Sequence, residues 1–176
     1  MNFNATAIRH GAIVGLVQVV LMLLVYLLDT TLLFNFWMGL STWVFAFFAM
    51  YLGLKGVREQ EGGLLSFTRA WGHAYIVVIA MTALVTLFNV VLYNFIDPSL
   101  VDLAIKQTLN QIEEVALMFG DGMDLEEMKG VIETSSREAM KPLGLVWAGF
   151  WSLLFYIVPT LIMAAIMRRK ETFFKA

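Results

Sequence analysis

The sequence predicts an all-α integral membrane protein: a four-helix bundle with an amphipathic helical hairpin set outside the lipid between spans three and four. Three observations carry this expectation. Apolar residues make up 60% of the 176-residue chain and charged residues 15%, against about 45–50% and about 25% in soluble domains; mean hydropathy is +0.76. Stretches of about 20 mostly apolar residues, the length that crosses a bilayer core, recur along the chain. The polar segment 97–141 has its apolar residues at helical spacing. The length suits one domain, 1–176, and no internal repeat is visible.

No charge falls between Gly11 and Leu28, which places the first span at about 11–28. The run is longer than the 7–15 residues of a signal-peptide core and no small-x-small cleavage site follows, so a retained span is expected. Gly11 and Gly15, four residues apart, allow a close helix crossing. Asp29 to Lys55 encloses a second charge-free stretch, too long for one span. A turn over DTTLLFNF (29–36) leaves a second span at about 37–54, with Ala46, Ala49 and Gly53 as a further small-residue stripe. These stripes read first as packing within the bundle and second as a homodimer seam.

The next segment, REQEGGLLSFTRAWGH (58–73), mixes charges with aromatics. A loop at the membrane boundary reconciles them. Lys55 and Arg58 sit at headgroup level, and Gly62-Gly63 lets the backbone turn through positive φ. LLSFTRAW is expected to lie along the interface as a short amphipathic helix, with Phe67 and Trp71 at the boundary and Arg69 snorkelling.

Span three is expected at about 71–96 and span four at about 143–167. Gln18 in span one and Asn89 in span three are the clearest intramembrane polar groups, with Thr82 and Thr86 nearby. They read as interhelical hydrogen-bonding groups or as the lining of a path. No charge lies near the middle of any span, unlike proton-coupled carriers and voltage sensors. Pro159 removes a backbone donor inside span four and should kink it.

Within 97–141, Asp97 with Pro98 reads as a helix start. Val101, Ile105, Ile112, Val115 and Phe119 give the first helix its apolar face. GDG (120–122) interrupts it, and Asp124 with Glu127 resembles a capping box for a second helix. Leu125, Met128, Ile132 and Ala139 give that helix its stripe. Lys141-Pro142 turns the chain into span four.

Four spans put both termini on one side. Eight Lys/Arg fall there, and four on the side of the hairpin, where ten carboxylates leave a charge of −6. The positive-inside rule then places the termini in the cytoplasm and 97–141 outside, in a bacterial inner membrane.

Signals for chemistry are few. The chain has no cysteine, so disulfides and thiolate metal sites are excluded. His10 and His73 with Glu59 or Glu61 form the one conceivable two-histidine, one-carboxylate set, yet they sit on separate elements and read as interfacial histidines. DGMDLEE (121–127) gathers carboxylates without the EF-hand pattern. Phosphate-binding glycine loops, GxSxG and HExxH are all missing. The basic C-terminal MRRKETFFKA suits anionic lipid.

Gly11 and Gly15, the loop set Gly56, Arg58, Gly62, Gly63, Ser66, Phe67 and Ala70, and IDPSLVD (96–102) together resemble a bacterial four-span membrane protein family known only as a domain of unknown function. The resemblance spans nearly the whole chain. It implies four helices with an external helical insertion, and no activity, cofactor or catalytic residue. The resulting expectation is a non-enzymatic structural or accessory component of a membrane assembly, without cofactor or metal. Its partners would be the lipid bilayer and, through the hairpin, a second copy or another membrane protein, not nucleic acid. A small transporter or channel component is the alternative.

Overall fold

The computed structural model describes residues 3–119 and 125–168; for residues 3, 60, 115–119 and 125–127 it describes the backbone alone. The described residues form α-helices without a strand: α1 (Phe3–Leu28), α2 (Phe36–Gln60), α3 (Phe67–Val91), α4 (Ser99–Phe119), α5 (Leu125–Ala139), α6 (Pro142–Phe155) and α7 (Ile157–Met167). A 3-10 turn, Thr30–Phe34, precedes α2, and a π-helical turn, Leu92–Ile96, follows α3. Four stretches are long and apolar enough to cross a membrane: Asn4–Leu28, Phe36–Glu59, Phe67–Ile96 and Pro142–Met167. The protein is a multi-pass, all-α membrane bundle. Each of the first three helices runs past the expected span on the side of the termini, because a helix ladder need not stop where the hydrocarbon stops.

The hub is α3, which packs against α1, α2, α6 and α7. Lipid tails are as apolar as leucine, so close packing rather than water exclusion draws such helices together. The small residues face this hub. A Cβ at Gly11 would overlap the Val77 carbonyl oxygen and come within 2.8 Å of the Ala80 Cβ. One at Gly15 would lie 3.3 Å from the Met81 Cα, and one on Gly53 would lie 2.8 Å from Val77 Cγ2. Ala46 and Ala49 are fully buried in the same core, with Met50, Leu54, Val77, Val78 and Met81. A second core, nearer the hairpin, joins Met22, Leu33, Leu92, Tyr93 and Leu100.

Turn chemistry sets the connections. Asp29 accepts from the Thr31 hydroxyl at 2.7 Å and the Thr31 N–H at 2.8 Å, capping the 3-10 turn. These bonds, the hydroxyl's first, hold its carboxyl below the usual carboxylate range. At the other end of α2, Gly62 and Gly63 adopt φ of +69° and +89°. The expected interfacial helix over LLSFTRAW does not form. The two glycines reverse the chain so sharply that Leu65 drops into the core, Ser66 is extended, and Phe67 is already the first residue of α3. Arg69 is tied to Glu61 at 2.5 Å.

The hairpin is held at its base. Asp97 Oδ1 accepts from the Ser99 N–H at 3.1 Å, capping α4, while Tyr26 donates to Oδ2 at 3.2 Å. Asn94 Nδ2 donates to the Met140 carbonyl at 3.3 Å. Ion pairs Lys129–Glu113 (2.8 Å) and Arg137–Asp102 (2.9 Å) cross from α5 to α4. Ala139, expected on the apolar stripe of α5, is exposed. The helix ends there, and Met140 turns into the second core instead. GDG, Asp124 and the side chains of Val115, Phe119, Leu125 and Glu127 lie outside the described residues.

Span four is broken at Tyr156, between α6 and α7. The Tyr156 N–H still reaches Ser152 O at 3.1 Å and Thr160 N–H reaches Tyr156 O at 3.0 Å. Pro159 has no N–H to offer Phe155 O, so the ladder parts between those two bonds.

Gly11→Ala should force α1 off α3 and lower stability by about 1–3 kcal/mol. Gly39→Ala, in open space, should leave stability unchanged or raise it by a fraction of the roughly 1 kcal/mol by which alanine outranks glycine in a helix. Thermal melts in one detergent compare them. Pro159→Ala should restore a donor to Phe155 and straighten span four. Spin labels on Leu40→Cys and Val146→Cys would then report a changed separation, and an unchanged one would assign the break to packing rather than to proline.

Candidate functional site

Most helix surface in this bundle is apolar and faces outward, so places where polar side chains converge stand out. One is a cleft of about 200 Å³ between α2, α3 and α6. Thr42 contributes from α2, Thr82, Thr86 and Asn89 from α3, and Ser152 from α6, with Gly149 and Tyr156 beside them. No charged residue lines it. Thr42 lies about 9 Å along α2 from its start at Phe36, and Asn89 is two residues from the end of α3. The cleft therefore occupies the half of the bundle nearer the hairpin. Tyr156 closes its inner end, with the Trp43 ring 5.0 Å away.

Gly149 makes the approach of α6 to α3 tight here, since a Cβ on it would lie 2.6 Å from Thr86 Oγ1. Gln18, only 1% exposed, reaches the cleft wall from α1. Its Nε2 donates to Thr42 Oγ1 at 2.8 Å. The sequence-singled pair thus meets the same feature, Asn89 directly and Gln18 through Thr42. The Ser152 hydroxyl donates to Gly149 O at 2.7 Å. The buried oxygens Gln18 Oε1 and Asn89 Oδ1 have no protein donor among the described residues, which leaves acceptors in and behind a neutral cleft. Such a site suits an uncharged hydrogen-bond donor. Nothing in it supplies a nucleophile with an adjacent base.

The second convergence is a histidine pair. His10 and His73 lie with ring centroids 6.5 Å apart, edge to face. The expectation that both are interfacial fails for His73, which is fully buried. Because α3 starts at Phe67, His73 falls in its second turn, inside the bundle. Gly53 and Gly56, three residues apart on α2, make room for the rings. A Cβ on Gly53 would lie 3.4 Å from His73 Nε2, and one on Gly56 3.3 Å from His10 Cε1. His10 Nδ1 donates to the Thr6 carbonyl at 2.8 Å; a carbonyl only accepts, which fixes that proton on Nδ1. Glu61 is engaged by Arg69. Among the described residues no three His, Cys, Asp or Glu gather as metal ligands.

The loop residues singled out by resemblance divide by role. Gly56 cradles His10, Gly62 and Gly63 make the reversal, Ser66 starts α3, Phe67 and Ala70 pack on the core, and Arg58 lines a groove at the membrane boundary. Sequence reasoning missed Thr42, Gly149 and Ser152. The available signal was Gly149 and Ser152, three apart, as small and polar interruptions in an otherwise apolar span.

No curated protein and no solved structure matches the chain. Residues 9–169 match the family described as Protein of unknown function (DUF4199). That match takes in every span, the glycine turn, the cleft and the hairpin, and the chain belongs to the DUF4199 family.

Proposed function

We propose that this protein is a non-enzymatic accessory component of a bacterial inner-membrane assembly, with cytoplasmic termini and the α4–α5 hairpin outside as its docking arm. The observation that carries the reading is the hairpin's attachment. It is fixed at its base by Tyr26–Asp97 and Asn94–Met140, while α4, some 30 Å long at 1.5 Å per residue, passes beside the Thr30–Phe34 turn and leaves Asp102, Lys106, Asn110 and Glu113 exposed. Ion pairs at exposed positions contribute little stability individually, so an arm laced by Lys129–Glu113 and Arg137–Asp102 is better explained by what its surface meets. Its charge of −6 over 97–141 favours a partner with a basic face.

The absence of cysteine makes the test clean. A photocrosslinker on Asn110→Cys or Thr134→Cys in native membranes should yield one discrete, stoichiometric adduct, and one on Phe155→Cys should capture lipid only. Capture of nothing from either hairpin position would overturn the reading.

The cleft favours a second reading, a small transport component. Neutral acceptors on Asn89 and Gln18 would then line part of a path for an uncharged solute. In vesicles, Asn89→Leu should abolish a flux of water or small polyols that the unaltered protein supports. Flux equal to empty vesicles for the unaltered protein removes this reading.

A further inference from the structure

At the end of the bundle that holds the termini, a groove of about 550 Å³ runs between α2 and the end of α7. Tyr51, Lys55, Arg58, Glu59, Gly63 and Met167 line it. The charge-free part of α2 ends at Leu54, and the candidate spans end at Glu59 and Met167. The groove therefore sits where hydrocarbon gives way to headgroups. Tyr51 lies one turn deeper than Lys55, and an aromatic ring with a polar tip suits that level.

Among the described residues, the charges in the groove are uncommitted. Arg69, on the other side of the glycine turn, is neutralised by Glu61. Lys55, Arg58 and Glu59 form no side-chain ion pair or hydrogen bond among the described residues. Two cations within one turn match a phosphate, and an arginine fork can hold two of its oxygens. The remaining charge is a carboxylate, which repels a second anion and attracts an amine. The carbonyl end of α2 carries partial negative charge that acts in the same sense. Gly63 has no side chain and an open surround, so no described residue walls off the headgroup end there. The groove thus presents positive, then negative, charge at the headgroup level above an aromatic and a thioether.

We propose that this groove binds a phospholipid whose headgroup carries both a phosphodiester and a primary amine. Lys55 and Arg58 take the phosphate, Glu59 takes the ammonium, and the acyl chains descend past Tyr51 and Met167. The site does not depend on the hairpin or on any protein partner.

The test uses the full chain in mild detergent, titrated with phosphatidylethanolamine, phosphatidylglycerol and phosphatidylcholine of matched acyl chains and read by native mass spectrometry. Phosphatidylethanolamine should bind most tightly. A basic residue near an anionic surface contributes about 1 kcal/mol, or a factor of about five, so Lys55→Gln with Arg58→Gln should weaken it roughly 30-fold. Glu59→Gln should retain binding but erase the preference over phosphatidylglycerol. Equal binding of the three lipids by the unaltered protein would overturn the proposal, and this arm needs no variant to fold. Displacement of bound lipid by inorganic phosphate alone would identify a soluble phosphate ligand and overturn it too.

Discussion

The bundle depends on how closely α1 can approach α3. In lipid, apolar area gains little by leaving the solvent, so contact distance replaces area as the organising quantity. At Gly11 the α1 backbone meets the Val77 carbonyl with no room for a methyl group, and Gly15 repeats the approach one turn on. Everything α3 organises follows from that seam. Its opposite faces remain available to α2, α7 and α6, and its turns set the depth at which His73 and Asn89 lie. The same seam brings His10 beside His73 and lets Gln18 cross to Thr42.

Polar groups inside such a bundle cost free energy unless they are paired. The protein manages them in two ways. On the side of the termini, the imidazoles are packed into recesses made by Gly53 and Gly56. On the hairpin side, hydroxyls and amides are gathered in and behind one cleft, where the Thr42 and Ser152 hydroxyls donate to backbone carbonyls of their own helices and the amide oxygens stay open. The division keeps ionisable rings and neutral acceptors in separate compartments, with Tyr156 and Trp43 between the cleft and the rest of the core.

Much of this architecture was legible from local pattern. Charge-free runs marked the spans because length in hydrocarbon is a one-dimensional constraint. Gly62-Gly63 announced positive φ, Pro159 announced a break, and Gly11 with Gly15 announced a close crossing, each through chemistry that acts within a turn or two. Less legible was everything decided by neighbours distant in sequence. Whether Phe67 begins a flat interfacial helix or a transmembrane one depends on Leu65 finding the core. His73 is buried because two glycines on another helix leave space for it. Gly149 faces Thr86 only after the break at Tyr156 has set the direction of α6. The cleft is assembled from three helices, and no window of sequence contains it.

The π-helical turn at Leu92–Ile96 closes on a bond from the Asp97 N–H to Leu92 O at 2.8 Å, five residues apart where an α turn would span four. That single surplus residue has a directional meaning. In an α-helix each residue turns the chain by about 100°, so the surplus fixes the compass bearing at which the chain leaves the membrane. Asn94 and Asp97 then lock that bearing through Met140 and Tyr26. The hairpin is aimed by a residue count, and the packing of Leu100 and Val101 into the second core holds that aim. In hereditary terms exposed hairpin positions such as Asn110 and Thr134 can be rewritten by substitution, whereas a one-codon insertion or deletion at its root would swing the whole arm away. Lineages of this chain should therefore vary in hairpin sequence while keeping the length of this short junction fixed.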